Sequence, residues 1–262
     1  MSTNIGTALV TGASTGIGRE LARLHASHGG DLVAVARSAD KLEALKHELE
    51  GEHGVQVTVI AMDLTEPAAP EQLHEAVQAA GITVDVLINN AGFGGRGKFH
   101  ERDWATDHAM IQLNIVALTA LTRRFLPDMV ARNRGRILNV SSTAALLPGP
   151  LQAVYYATKA YVTSFSNAVA EELHDTDVTV TALMPGATET EFARVSGMDA
   201  TSLFEHTAPA SDVARAGYEA MLRGDLNVIA GVSLAQRLVM ATAPLAPRRM
   251  LLRQVRQMQE VQ

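Results

Sequence analysis

The segment "AVYYATKAYV", residues 153–162, brings Tyr155, Tyr156 and Lys159 within one helical turn of each other. A phenol beside an ammonium group is a unit for moving protons. An unperturbed tyrosine has a pKa near 10, and a nearby cation stabilises the phenolate and lowers that value. On a helix, neighbours at i,i+3 and i,i+4 share a face, so either tyrosine reaches Lys159. Helical geometry leaves the two tied. Taken alone, the pair also reads as two amphipathic packing residues with a lysine stem running past them.

A second cluster lies near the N-terminus. "VTGASTGIGRE" carries Gly12, Gly16 and Gly18 in the spacing G-x-x-x-G-x-G, not G-x-G-x-x-G. Glycine permits the tight turn and lets backbone approach a pyrophosphate at a helix N-terminus, where free N–H groups and the dipole favour anions. A ligand-free turn is the competing reading. An acid that would hold the ribose 2′-hydroxyl of NAD is expected about 20 residues further on. "VAVARS" places Ala36 and Arg37 there instead. Ala36 removes the repulsion a carboxylate would exert on a 2′-phosphate, and Arg37 can pair with that phosphate bidentately. NADP(H) is therefore favoured over NAD(H).

These groups need elements to position them. Seven short runs rich in Val, Ile and Leu read as strands: 7–12, 31–37, 55–63, 84–92, 135–142, 177–186 and 226–231. They show little strict alternation, which suits parallel strands buried on both faces. Segments 16–29, 38–50, 66–80, 103–133, 152–174 and 211–223 read as helices; Leu42, Leu45 and Leu49 follow Ser38, a plausible N-cap, at helical spacing. Repeated strand–helix alternation predicts an α/β, Rossmann-type doubly wound parallel sheet of about seven strands with helices on both faces. Residues 1–232 form the nucleotide-binding catalytic domain in this reading, and 233–262 is a helical extension of it.

Composition narrows the classes. The 262 residues have 47% hydrophobic and 19% charged content, enough to bury a sizeable core. The net charge of -6 gives no reason to expect nucleic acid as a partner. No cysteine is present, which excludes disulfides and thiolate metal sites, and no metal-binding pattern is seen. "MSTNIGTALV" lacks the features of a signal peptide, and no apolar run is long enough to span a bilayer. A cytoplasmic protein is expected.

Taken in order, "TGASTGIG" (11–18), "NNAG" (89–92), Asn114, "NVSS" (139–142), "YYATK" (155–159) and "PGATET" (185–190) resemble the short-chain dehydrogenase/reductase family, over about residues 6–231. The resemblance implies an NAD(P)-dependent oxidoreductase that interconverts carbonyls and alcohols by hydride transfer. It also implies a homodimer or homotetramer formed through the helices at 103–133 and 152–174. Asn114, Ser142, Tyr155 and Lys159 would be catalytic. Tyr155 would be the proton donor, Ser142 would hold the substrate oxygen, Lys159 would tune the phenol and bind the nicotinamide ribose, and Asn114 would hold a water linking Lys159 to solvent. The family's serine typically stands 13 residues before its tyrosine. Ser142 to Tyr155 is 13, and Tyr155 keeps the Tyr-x-x-x-Lys spacing to Lys159, which resolves both doublets.

By the same resemblance, Gly12, Ser14, Thr15, Gly16, Ile17 and Gly18 would cradle the cofactor phosphates. Asp63 and Leu64 would meet the adenine, and Asn90, Ala91 and Gly92 the adenosine ribose. Pro185, Gly186, Thr188 and Thr190 would meet the nicotinamide side, and Arg37 the 2′-phosphate.

Residues expected to face the substrate are Phe93, Ala144, Leu146, Val154 and Phe192. They are apolar, so a medium-sized apolar ketone, aldehyde or secondary alcohol is expected. Arg96, Lys98 and Arg194 read as solvated loop residues. Segment 191–209 has the mixed character of a lid. The tail 233–262 carries five arginines against one acid, Glu260, with a stripe of Leu251, Leu252, Val255, Met258 and Val261. Such a helix can lie on a membrane surface; packing on the same or a partner subunit is the favoured reading. Two rival functions stand beside the oxidoreductase: a catalytically silent NADP-sensing regulator, and a non-redox epimerase or dehydratase on the same fold.

Overall fold

The computed structural model describes residues 5–198, 201, 204, 207–242 and 247–260. Along the chain run β1 (Thr7–Thr11), α1 (Gly16–Ser27), β2 (Asp31–Ala36), α2 (Ala39–His53), β3 (Val57–Ala61), α3 (Ala69–Ala79) and β4 (Val84–Asn89). Then come α4 (Trp104–Ile111), α5 (Leu118–Ala131), β5 (Gly135–Val140), α6 (Ala153–Glu172), β6 (Val178–Pro185), β7 (Thr188–Glu189) and α7 (Phe192–Ser196). The chain closes with β8 (Ala208–Pro209), α8 (Ala210–Arg223), β9 (Asn227–Ala230), α9 (Leu234–Thr242) and α10 (Arg248–Gln259).

Seven strands form one sheet in the order β3-β2-β1-β4-β5-β6-β9, and every pairing in it is parallel. β7 and β8 make a separate two-residue pair. The predicted sheet is therefore the observed one. Its core follows from the period of two along each strand. In β1, Ala8 and Val10 join a cluster with Leu21, Leu42 and Tyr218 on the face covered by α1, α2 and α8. Leu9, between them, joins Leu73, Leu121 and Phe125 on the face covered by α3 and α5. Leu21 and Leu73 are fully buried, each contributing about 2 kcal/mol through removal of apolar surface from water.

The order in which strands are added reverses between β1 and β4, since β2 and β3 lie on one side of β1 and β4 to β6 on the other. Such a switch point opens a crevice at the carboxyl ends of the strands. That explains several ends that fall short of their predicted bounds. The run 84–92 pairs only to Asn89, because Asn90 to Gly92 leave the sheet to wall the crevice. Likewise 135–142 pairs to Val140, and 55–63 contracts to Val57–Ala61.

The predicted helix 103–133 is continuous in direction but not in pitch. A π-helical turn, Gln112–Ala117, joins α4 to α5 and carries Asn114. Turns of this kind occur frequently at functional sites. The tail forms α9 and α10. Leu251 and Val255 of α10 are buried against Leu147 and Tyr156, whereas Met258 is 41% exposed. The buried stripe is thus narrower than predicted, and Val261 lies outside the described residues. Within the predicted lid, α7 is helical, while 199–200, 202–203 and 205–206 lie outside the described residues. Among the described residues no helix is long and apolar enough to cross a membrane.

Candidate active site

The crevice has a volume of about 390 Å³; its nucleotide half lies beside the glycine-rich turn and its substrate half beside Phe93 and Phe192. The nucleotide half is built mostly from backbone. Thr11, at the end of β1, accepts hydrogen bonds at Oγ1 from Asn90 N and Ala91 N, both at 3.0 Å. Asn90 Nδ2 donates to the Thr11 carbonyl at 2.9 Å. These contacts bolt the end of β1 to the exit of β4. Gly12 and Gly16 adopt φ of 68° and 55°, the left-handed region that glycine enters without steric cost. A Cβ on Gly12 would meet Asn90 Nδ2 at 2.7 Å, and one on Gly18 would strike the Gly12 carbonyl. Gly18 is buried and does not line the crevice; it lets α1 pack on the turn.

The first turn of α1 has no side-chain cap from Thr15, so its N–H groups are open to an anion in the crevice. Ser14, Thr15, Gly16 and Ile17 line that cradle, and Thr190 faces it from the other side, its methyl 2.9 Å from where a Gly16 Cβ would stand. At the far end, exposed Arg37 has no hydrogen-bond or ion-pair partner among the described residues, and Ser38, the N-cap of α2, makes no side-chain cap bond. Lys41 stands on the same rim and pairs with Glu191 at 3.3 Å. Open N–H groups, an unpaired guanidinium, a free hydroxyl and a lysine suit a dinucleotide with an extra phosphate on its adenosine ribose. Ser38 reads in the sequence only as an N-cap and Lys41 is not singled out; the signal is present as the N-cap and first turn of the helix directly after Arg37.

The other predicted cofactor residues gather as expected. Asp63, Leu64, Asn90, Ala91, Gly92, Pro185, Gly186 and Thr188 all line the crevice. Asp63 Oδ1 is occupied by the N–H and hydroxyl of Thr65, at 3.0 and 2.8 Å. Thr188 Oγ1 donates to the Gly186 carbonyl at 2.9 Å.

The proton-handling residues meet where the two halves join. Tyr155 and Lys159 project from α6 and are both buried. Lys159 Nζ donates to the Val140 carbonyl at 2.9 Å and lies 5.9 Å from the centre of the Tyr155 ring. Burial lowers the Lys159 pKa to about 8, so the ammonium persists at neutral pH. Burial raises the Tyr155 phenol well above its ordinary value, the nearby Ser142 hydroxyl pulls it partway back, and the neighbouring Tyr156 adds to the rise. In this geometry burial outweighs the lowering expected from Lys159. Its ammonium is engaged by Val140, and loss of solvent dominates.

The serine doublet divides cleanly. Ser141 Oγ is committed to α6, bonding the Lys159 carbonyl at 2.9 Å and Thr163 Oγ1 at 2.7 Å. Ser142 faces the crevice and accepts from Ala144 N at 3.1 Å. Asn114 is buried beneath the crevice wall. Its Nδ2 donates to the Phe93 carbonyl and to Thr158 Oγ1, both at 3.0 Å, and its Oδ1 accepts from Phe93 N at 3.2 Å. A Cβ on Gly92 would stand 3.0 Å from Asn114 Oδ1 and 3.4 Å from Lys159 Nζ. Only a residue without a side chain leaves that space open.

The tyrosines diverge as well. Tyr155 packs against Phe192, with ring centres 5.3 Å apart. Tyr156 turns toward α10, where its hydroxyl accepts from Gln259 Nε2 at 2.9 Å. Phe93, Ala144 and Phe192 line the substrate half as predicted, but Leu146 and Val154 do not line the crevice. Leu146 is displaced because the chain folds 145–150 away from the crevice, against α6 and the start of α10, whereas Val154 packs behind the wall in a cluster with Met110, Ala144 and Tyr155. Arg96 is not simply solvated: it donates to the carbonyls of Gly197 and Gln259, at 3.1 and 3.3 Å. Gln152, Met198 and Phe204 also line this half and were not foreseen, since they come together only through loop packing.

Residues 6–200 match the family model described as short chain dehydrogenase. The NADP-dependent 3-hydroxy acid dehydrogenase YdfG of Salmonella typhi is 39% identical over 208 residues, covering 76% of this chain and 81% of that one. Among solved structures, a short-chain dehydrogenase from Sphingobium yanoikuyae in complex with NADPH is 32% identical, with a TM-score of 0.82 over 98% of both chains. The bulky-bulky ketone specific alcohol dehydrogenase from Comamonas testosteroni is 28% identical, with a TM-score of 0.79 over 97% of this chain and 96% of that one.

Proposed function

The chain belongs to the short-chain dehydrogenase family, and from that premise we propose that it is an NADP-dependent oxidoreductase interconverting a carbonyl and an alcohol on a largely apolar substrate. The observation that carries this reading is the junction of the crevice, whose lining brings together Ser142, the buried Tyr155 phenol and, one turn further along α6, the Lys159 ammonium. When bound, NADPH supplies the hydride. The protein's own task is the proton. Burial keeps Tyr155 protonated, so it serves as general acid to the carbonyl oxygen during reduction. Ser142 holds that oxygen, since a hydroxyl both donates and accepts. Lys159 would stabilise the phenolate left behind and hold the nicotinamide ribose of the bound cofactor, and Asn114, which holds the Phe93 backbone, would hold a water beside it.

Preference for NADP rests on the Arg37, Ser38 and Lys41 rim, and the names of the YdfG and Sphingobium relatives agree with it. An apolar substrate accords with Phe93, Ala144, Phe192, Met198 and Phe204, and with the ketone specificity stated for the Comamonas relative. The proposal treats 1–232 and the 233–262 extension as one domain in a cytoplasmic homodimer or homotetramer. Exposed Val116, Val130 and Tyr161 on the helices at 103–133 and 152–174 support self-association.

The test is NADPH absorbance over a panel of ketones and aldehydes, repeated with NADH and with Tyr155→Phe. Turnover with NADPH is expected, and the variant should lose on the order of 10²–10⁴-fold in kcat while still binding NADPH. Full activity in Tyr155→Phe removes the assignment. Product formed without net NADPH consumption favours the epimerase or dehydratase reading.

A further inference from the structure

Gln152 is the N-cap residue of α6, three positions before Tyr155. At that spacing the two side chains share one face, and both line the crevice. Gln152 is only 4% exposed. Its Nε2 points to the Met198 sulfur at 3.1 Å, a weak acceptor, and its Oε1 has no hydrogen-bond partner. A buried amide oxygen without a donor is costly, and such groups in native proteins call for an explanation. Phe93, Phe192, Met198 and Phe204 in the same half cannot donate a hydrogen bond from their side chains, and none of the hydroxyls of Ser142, Tyr155 and Tyr156 there bonds to this oxygen.

The backbone holds this amide in place at a cost. Gly149, Pro150, Leu151 and Gln152 form a turn closed by Gln152 N donating to the Gly149 carbonyl at 3.0 Å. Leu151, in its third position, has φ of 68°, where a turn of this kind asks for glycine. Leu151 also accepts from Gly97 N at 2.8 Å, which ties the turn to the loop after Phe93. Strained positions of this sort persist where the surroundings over-determine them, and they cluster at ligand sites.

We infer that Gln152 is a specificity residue, whose Oε1 accepts a hydrogen bond from a hydroxyl carried by the substrate close to its reacting carbonyl. The preferred substrate class is then a hydroxyketone with an apolar body, or the corresponding diol in the reverse direction. The inference rests on the carbonyl–alcohol reading, because Gln152 is placed by its distance along α6 from Tyr155. It goes further by naming the second polar group of the substrate. A site built to pair with a hydroxyl rejects the analogue that lacks it, because its own polar atom is then left unpaired.

The probes are 2-hydroxyacetophenone and acetophenone, which differ by one hydroxyl. The readout is the ratio of their kcat/KM values with NADPH, and, independently of turnover, the ratio of their affinities for the NADP⁺-loaded protein by calorimetry. The wild-type chain should favour the hydroxyketone by on the order of tenfold or more. Gln152→Leu and Gln152→Met, which fill the same space without an acceptor, should bring the ratio close to one. Melting temperatures identify any variant that fails to fold, and the other then decides. A wild-type ratio near one, or a ratio that survives both substitutions, overturns the inference. Absence of NADPH oxidation with every carbonyl overturns the oxidoreductase reading instead, and the calorimetric ratio still decides the role of Gln152.

Discussion

The two halves of the crevice are built by different means. The nucleotide half is made where β1, β2 and β4 leave one sheet, so its walls are backbone groups and small side chains fixed by the core beneath. Thr11 clamps Asn90 and Ala91, and Gly12 and Gly18 leave no room for a Cβ. The substrate half is assembled from the 93–98 loop, the 143–152 turn, α7 and Phe204, stabilised by Arg96, which bonds Gly197 and Gln259 far along the chain and is itself held locally by Arg102. The first construction suits a ligand common to many proteins, and the second one that differs from protein to protein.

If the nucleotide half owes its form to the packing of α1 on the sheet, loosening α1 should damage it first. His25 offers a way to do this without touching the crevice. Its Nδ1 lies 2.9 Å from the Tyr218 hydroxyl on α8, and its Nε2 lies 3.0 Å from the Gly6 carbonyl. Burial lowers its pKa from 6.5 to about 4; the Gly6 hydrogen bond, Asp31 and Asp85 oppose that shift and His28 adds to it. Between these values the unfolded chain binds more protons than the folded one, so stability is complete above pH 6.5 and falls as pH drops toward 4. At about 1.4 kcal/mol per pKa unit, the loss approaches about 3 kcal/mol at pH 4. Urea titrations at pH 7 and pH 4.5 should show that fall for the wild type and a smaller one for His25→Gln, which does not titrate. Equal falls in the two proteins would place the acid sensitivity elsewhere.

A smaller effect is expected at the phosphate rim, where the nucleotide half reaches solvent. Arg37 is exposed and unpaired among the described residues, so its removal costs no fold stability of note and should act on the ligand alone. Arg37→Ala should weaken NADPH binding by about tenfold, the worth of a charge-assisted hydrogen bond at an open site, while NADH, lacking the 2′-phosphate, loses far less. Cofactor fluorescence titrations with both nucleotides measure this. An equal loss for both would assign Arg37 to the shared part of the cofactor.

The same contrast decides what was legible in the sequence. Gly12 with Gly16, Arg37, Asn90 and the Ser142–Tyr155–Lys159 spacing are local patterns on a repeating strand–helix frame, and all of them reach the crevice. Asn114 belongs to the site only through a π-helical turn, a change of pitch with no clear composition signal. Gln152, Met198 and Phe204 depend on a left-handed leucine and on loops meeting across the chain. Leu146 does not line the crevice because the turn carries it away, and Val154 because the helix face it occupies packs behind Tyr155 and Ala144. The Tyr155 phenol shows a further limit. The types and spacing of the residues suggest a lowered pKa, but its direction is set by burial, which no local pattern reports.

The smallest effect concerns the tyrosine that stands beside the chemistry without joining it. Successive residues on a helix point about 100° apart. Tyr155 therefore points into the crevice, while Tyr156 borders it and meets α10, where Leu251 and Val255 pack on it and its hydroxyl accepts from Gln259. Gln259 is fully buried and its Oε1 already has no partner. Tyr156→Phe keeps the ring and its apolar contacts but leaves the Gln259 amide wholly unpaired, which should cost about 1 kcal/mol of stability. Because α10 touches the substrate half through Gln259 and Arg96, a modest rise in KM is expected, with kcat within about twofold of wild type given the spared proton donor. Urea unfolding and steady-state kinetics separate the two. A collapse of kcat with unchanged stability would mean that the second tyrosine handles the proton after all, and that the substrate half extends to α10.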